Sequence, residues 1–99
     1  MNARDLEHVV ALYDGEIRLV DDHIAKLRAA LDRLALGAKT IIVLTADHGD
    51  EFFEHGNKGH HRTVYDEVLH VPMLLHLPGD QHAGESIDTQ TSLLDVFPT

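Results

Sequence analysis

Ile41-Ile42-Val43-Leu44-Thr45-Ala46-Asp47-His48-Gly49-Asp50 is the stretch whose reading decides the fold. Its apolar start, rich in β-branched residues and bounded by polar groups and Gly, predicts a buried strand that ends where Asp47 and His48 begin. In open α/β sheets, ligands gather outside the carboxyl ends of such strands. Adjacent Asp and His side chains there, followed by a Gly that lets the backbone turn, offer a carboxylate oxygen and an imidazole nitrogen at the rim of a cleft. That pair makes half of a divalent-metal site. The competing reading is a helix cap beside a satisfied buried imidazole, and the Gly with the loop that follows favours ligands.

Upstream, apolar residues at Leu6, Val9, Tyr13, Ile17, Val20, Ile24, Leu27, Leu31 and Leu34 recur in steps of three and four. They predict an amphipathic helix over Asp5 to Leu36, with Gly15 as a tolerated weak point and Gly37 as its C-cap. Arg18, Asp22, Lys26 and Arg33 fall off that stripe, as expected of a helix packed on a sheet by one face. A long helix, a short Ala38-Lys39 connection and a strand form the second half of a βαβ unit. Its first strand is therefore expected upstream of Met1.

Downstream, Asp50 to Arg62 is rich in Gly, His and charge, which makes a poor core and a good loop over a site, with Phe52 and Phe53 as packing anchors. Val64 to Leu69 predicts a helical turn, and Val71 to Leu77 a second apolar strand with Pro72 tolerated at its start. Pro78-Gly79 ends that strand, Ser86 to Thr89 suggests a short strand, and Ser92 to Phe97 is an apolar segment ahead of Pro98-Thr99.

Six of the nine histidines, His48, His55, His60, His61, His70 and His76, fall between the end of the first apolar strand and the end of the second. Histidine titrates near neutrality and ligates transition metals, so such clustering points to metal or acid/base chemistry. The i, i+4 spacing of a helical zinc protease is absent. His60 and His61 stand evenly between a solvated loop pair and a proton donor or substrate contact. His55 with Glu54 reads as loop scaffolding, His76 as a core histidine, and His8, His23, His70 and His82 as unremarkable surface or packing residues. Tyr65-Asp66-Glu67 reads as a segment that caps and packs the far end of the loop.

Composition narrows the function further. Seventeen acidic residues against eight basic ones, a net charge of −9, exclude a basic nucleic-acid surface. An anionic substrate would need a cation to offset that field. The absence of cysteine removes disulfides and thiolate metal sites. No apolar run approaches the ~20 residues of a membrane span, and Met1 to Glu7 lacks a signal-peptide core.

Read as an ordered set, these residues resemble the sulfatase family of the alkaline-phosphatase-like superfamily. The resemblance rests on Tyr13-Asp14 with Asp21, Thr45 to Asp50, Glu54-His55-Gly56, Gly59-His60-His61, Val64-Tyr65-Asp66-Glu67, His70 to Leu74 and Asp95 to Thr99. It implies an α/β fold, here a fragment of a mixed sheet flanked by helices with the long amphipathic helix leading. Residues 1–99 would then be a partial sulfatase-like catalytic domain that hydrolyses a sulfate ester on a small molecule or glycan. Asp47 and His48 match the family's second pair of metal ligands, which implies a divalent metal, calcium first, with manganese, magnesium or zinc as alternatives. His60 and His61 fall near the place where members carry a Lys or His that contacts the sulfate or assists the leaving oxygen. The family's formylglycine arises in a Cys/Ser-x-Pro-x-Arg motif that neither Ser86 nor Ser92 occupies. The nucleophile and the earlier acidic pair are thus expected upstream, and the chain alone is expected to be inactive. A phosphoester hydrolase or phosphoryl transferase of the same superfamily, or a non-catalytic metal-binding domain, are the rival readings.

Overall fold

A computed structural model describes residues 2–97; Met1, and the Pro98 and Thr99 that close the last family motif, lie outside the described residues. Asn2 starts helix α1, Ala3–Arg33, by accepting the Asp5 N–H at 2.9 Å while the Asp5 carboxylate accepts the Asn2 N–H at 3.0 Å. This reciprocal cap satisfies donors that a helix start leaves orphaned, and it brings the start ahead of the expected Asp5. Of the apolar stripe, Leu6, Val9, Ile24 and Leu31 are half-buried, whereas Ile17, Val20, Leu27 and Leu34 are exposed. No residue of α1 is fully buried, so the helix forms as expected without covering a sheet face.

The end of α1 departs from expectation for a local reason. Leu34 is the cap, Ala35 takes the left-handed conformation at φ 56°, and Ala35 and Leu36 donate to Asp32 and Leu31 at 3.0 and 2.9 Å. That is a Schellman pair with Ala where Gly is usual. Gly37 serves a different purpose in the 3-10 turn Gly37–Lys39: a Cβ there would run into the Asp32 carboxylate.

Strand β1, Ile42–Thr45, begins one residue later than the apolar run. The intervening chain holds a short hairpin of β2 (Glu51–Phe52) and β3 (Lys58–Gly59), then helix α2 (Asp66–Leu69). Strand β4, Met73–His76, pairs antiparallel with β1 in the register Ile42↔His76 through Thr45↔Met73. Thr45 caps the pairing by donating its hydroxyl to the Pro72 carbonyl at 2.9 Å. The parallel neighbour that a βαβ unit demands is not among the described residues. After β4, Pro78–Asp80 makes the expected turn, and Ser92 caps a 3-10 turn at Leu93–Asp95. Residues 86–89 join no ladder, because among the described residues no strand lies beside them.

The result is mixed helix and antiparallel ribbon with very little interior. Among the described residues only Val68, at 5% exposure, and Glu51, at 1%, are fully buried. Val43, Leu44, Leu74 and Leu75 are exposed on both faces of the β1–β4 ribbon. Near-continuous apolar strands of this kind belong in sheets covered on both sides. The accessible area is 8447 Å² for 11.0 kDa, where a folded monomer of that mass would expose about 5,600 Å². The Cα radius of gyration is 16.8 Å against about 13 Å for a compact domain of this length. No helix is long and apolar enough to cross a membrane among the described residues.

This exposed apolar surface predicts that the 99-residue chain associates as its concentration rises. Sedimentation velocity should show species heavier than 11.0 kDa at micromolar loading. A sharp, reversible transition of a persistent monomer would contradict it.

Candidate metal centre

The β2–β3 hairpin is short on ladder bonds and is held by a side chain instead. Its turn uses positive φ at Phe53 (74°) and Gly56 (85°), with Phe53 N–H donating to the Asn57 carbonyl at 2.8 Å. The Glu51 carboxylate lies inside this turn. One oxygen accepts the His55 and Asn57 N–H groups at 3.1 and 3.2 Å, and the other accepts the Thr63 hydroxyl at 2.8 Å. Burial alone would push this carboxyl's pKa up. The Thr63 hydroxyl, then the Asn57 and His55 N–H groups and the nearby His55 charge, outweigh it and hold the pKa below the ordinary 4.5. Phe52 packs its ring edge-on against Tyr13 of α1, centroids 5.1 Å apart, which is the anchoring role expected of it.

A second set of contacts ties the start of the hairpin to α2. Gly49 N–H donates to the Val68 carbonyl at 2.8 Å, and a Cβ on Gly49 would overlap the Glu67 carbonyl oxygen. The glycine is required for this close approach and has no positive φ. His55 Nδ1 donates to the Glu67 carboxylate at 2.6 Å while its ring stacks on Tyr65 at 3.6 Å. Glu51, His55 and Glu67 thus lie close enough to suggest a cation site, but their polar atoms are already engaged with the protein. We read them as the frame of the loop.

Within that frame Asp47 and His48 follow the end of β1. His48 Nδ1 lies 3.0 Å from the Gly49 carbonyl, an acceptor only, so Nδ1 carries a proton and Nε2 is the nitrogen that holds the lone pair in the neutral ring. That Nε2 lies 3.8 Å from Asp47 Oδ1. In the neutral ring Nε2 and Oδ1 are both electron-pair donors, Oδ1 also accepting the His48 N–H at 3.1 Å, and their separation is less than two metal–ligand bonds of about 2.1–2.4 Å laid end to end. The pair fits a divalent cation. The Asp47 side chain is 91% exposed, so the cation would sit at an open edge.

His60 and His61 gather at the same place. The His60 ring stacks on His48 with centroids 3.8 Å apart, and His61 tilts against His60 at 4.2 Å. His60 Nδ1 lies 2.8 Å from Asp50 Oδ1. His48, Asp50 and His60 consequently offer ligand atoms within 4.8 Å of one another, whereas Asp47 stands outside that trio. Beside them an open groove of about 1030 Å³ runs past Asp47, His48, His70 and Asp88 to Ser92. Residue types give Asp50 only as the end of the Thr45–Asp50 motif and Glu51 only as part of the loop, with no role for either. The tight turn centred on His55 was the usable signal, since Asp50 and His60 stand five residues to either side of it.

Comparison with known proteins now bears on this geometry. The family model described as Sulfatase matches residues 2–99. The chain belongs to the sulfatase family. It is 31% identical over 96 residues to arylsulfatase K of Bos taurus, covering 97% of this chain and 17% of that protein. It is also 31% identical over 101 residues to the Delta 4,5-hexuronate-2-O-sulfatase of Bacteroides thetaiotaomicron, covering 99% of this chain and 21% of that protein. Rat steryl-sulfatase is 29% identical over 99 residues, covering 88% of this chain and 17% of the relative. The chain thus spans about a sixth to a fifth of these curated sulfatases. No solved structure gives a significant match.

Two outcomes follow from the frame. Gly49→Ala should force the backbone away from Glu67 and cost about 1–3 kcal/mol, the usual penalty of overpacking, read as lost amide-exchange protection at position 49. Glu51 contributes stability that is complete above its ordinary pKa of 4.5 and is lost as pH falls through its lower folded value. Exchange protection of the His55 and Asn57 amides should therefore collapse in acid, and Glu51→Gln should remove that acid limb while lowering protection at neutral pH.

Proposed function

We propose that this chain is the part of a sulfuric ester hydrolase that holds a divalent cation through Asp47 and His48 and meets the leaving oxygen of the ester through His60. The observation that carries the reading is the approach of His48 Nε2 to Asp47 Oδ1 at 3.8 Å at the end of β1, in a chain of the sulfatase family. A cation bound there would act as a Lewis acid toward the sulfate oxygens and offset the acidic field of the chain. Asp47 suits hard cations and His48 borderline ones, so calcium is the first candidate, with manganese, magnesium and zinc to be compared beside it.

The side chains then divide the work. Gly49, held on Val68, supplies the carbonyl that His48 Nδ1–H meets, and Nε2 lies toward Asp47. We assign the ester contact to His60, which stacks on His48, with His61 tilted against His60 as a flank. The chain has no Cys, and Ser86 and Ser92 lie outside the formylglycine motif, so we assign the nucleophile to residues beyond this stretch and expect no turnover from the 99 residues alone. The groove beside Asp47 and His48 is polar along residues 88–92 and suits a hydroxylated carrier such as a glycan.

The test is hydrolysis of 4-methylumbelliferyl sulfate by the protein purified from its natural source, with bound metal measured by mass spectrometry. Asp47→Asn and His48→Ala should each lower kcat/KM on the order of 100-fold, the scale on which a single electrostatic contact to a transition state acts, and should reduce the retained metal. Full activity in both variants, or hydrolysis of the phosphate ester in preference to the sulfate, would overturn the assignment.

A further inference from the structure

We infer that Asp50 is a positioning residue for His60, fixing its ring in the Nδ1–H tautomer so that Nε2 is the nitrogen offered to the open side of the site. The inference rests on the reading of His60 as the ester contact and deepens it. Its basis is the strand register. Glu51 pairs with Gly59, so Asp50 and His60 are the next cross-strand partners at the open end of the hairpin. Cross-strand partners share one face of the sheet, which brings their side chains together without help from the rest of the fold.

The side-chain geometry agrees with the register. Asp50 Oδ1 and His60 Nδ1 are 2.8 Å apart, and a carboxylate can only accept, so Nδ1 holds the proton. Asp50 is half-buried at 27% exposure and His60 is more open at 37%, so the bond lies at the edge of the site. Gly59, at φ 76°, directs the chain into His60 in a conformation that L side chains rarely adopt. His48 and His61 pack against the ring, and Asp50 holds its Nδ1 edge. The Nε2 edge is what remains for a ligand among the described residues.

The arrangement matches a principle known from metal and catalytic histidines, in which the partner of one ring nitrogen decides what the other can do. A neutral imidazole fixed as Nδ1–H presents a lone pair at Nε2, and a charged one presents Nε2–H, but in both the reacting edge points the same way. Without Asp50 the neutral ring would be free to take the Nε2–H form that free histidine favours, and to rotate.

The experiment is a long-range proton–nitrogen correlation spectrum of the ¹⁵N-histidine-labelled 99-residue chain, without metal or ester, at a pH above the histidine range. His60→Gln identifies the His60 signals. We expect wild-type His60 predominantly as Nδ1–H, and Asp50→Ala to reverse that preference toward Nε2–H. Asp50→Asn, which keeps an acceptor oxygen but no charge, should give an intermediate ratio with the hairpin intact, as judged by the His55 and Asn57 amides. A wild-type ring in the Nε2–H form, or a ratio unmoved in both Asp50 variants, would overturn the role. If His60 is Nδ1–H but the natural-source protein hydrolyses no sulfate ester, the function proposed above fails and the Asp50 assignment stands.

Discussion

A carboxylate stripped of water and surrounded by three donors governs the local architecture of this chain. Glu51 is 1% exposed, yet its charge is retained because Thr63, His55 and Asn57 replace the lost hydration. Isolated two-stranded hairpins are marginal in water. This one has two residue pairs, so the interior carboxylate supplies closure beyond what its ladder bonds give. Removing one donor would leave a buried charge short of a partner, which is costlier than the loss of an ordinary hydrogen bond.

From that closure the remaining constraints run outward in order. The turn fixes the β2–β3 register, the register faces Asp50 with His60, and His60 lies flat on His48. Independently, the Glu67 carbonyl and the Val68 carbonyl hold Gly49 so closely that no side chain could replace its hydrogen. His48 is therefore approached from two sides, by the hairpin and by α2. The contrast with the scaffold is sharp in physical terms: the site is tied by short polar contacts within residues 47–68, whereas α1 and the β1–β4 ribbon leave most of their apolar surface open. Local polar order and global apolar burial are separate in this chain.

That separation explains what could be read in the residues alone. The β-branched run announced β1 and the three-four stripe announced α1, because both patterns are local and periodic. Tyr65-Asp66-Glu67 was read as packing the far end of the loop, and Tyr65 and Glu67 do hold His55 there. Gly37 was misplaced as a cap because a Schellman pair on Ala35 leaves no trace in residue type. Gly49 was noticed for the wrong reason, since its need comes from a carbonyl of Glu67, distant in sequence. Asp50 and Glu51 were invisible as individuals: a pairing register and a buried charge are properties of two segments at once. Asp47 and His48 stood out because a strand end is itself a local signal.

The edge-on contact between Tyr13 and Phe52 has a mechanical side. Helix α1, 31 residues long, is a rod of about 46 Å, joined to β1 only through the turn at residues 34–40. Tyr13 lies about 32 Å along that rod from Leu34. A displacement of about 1 Å at the Phe52 ring therefore corresponds to a rotation of only about 2° at the joint. The aromatic contact at 5.1 Å thus bears on the helix angle with a long moment arm. A rotation of the rod about that joint would carry its far end further than it carries Tyr13, because the far end lies further from the joint.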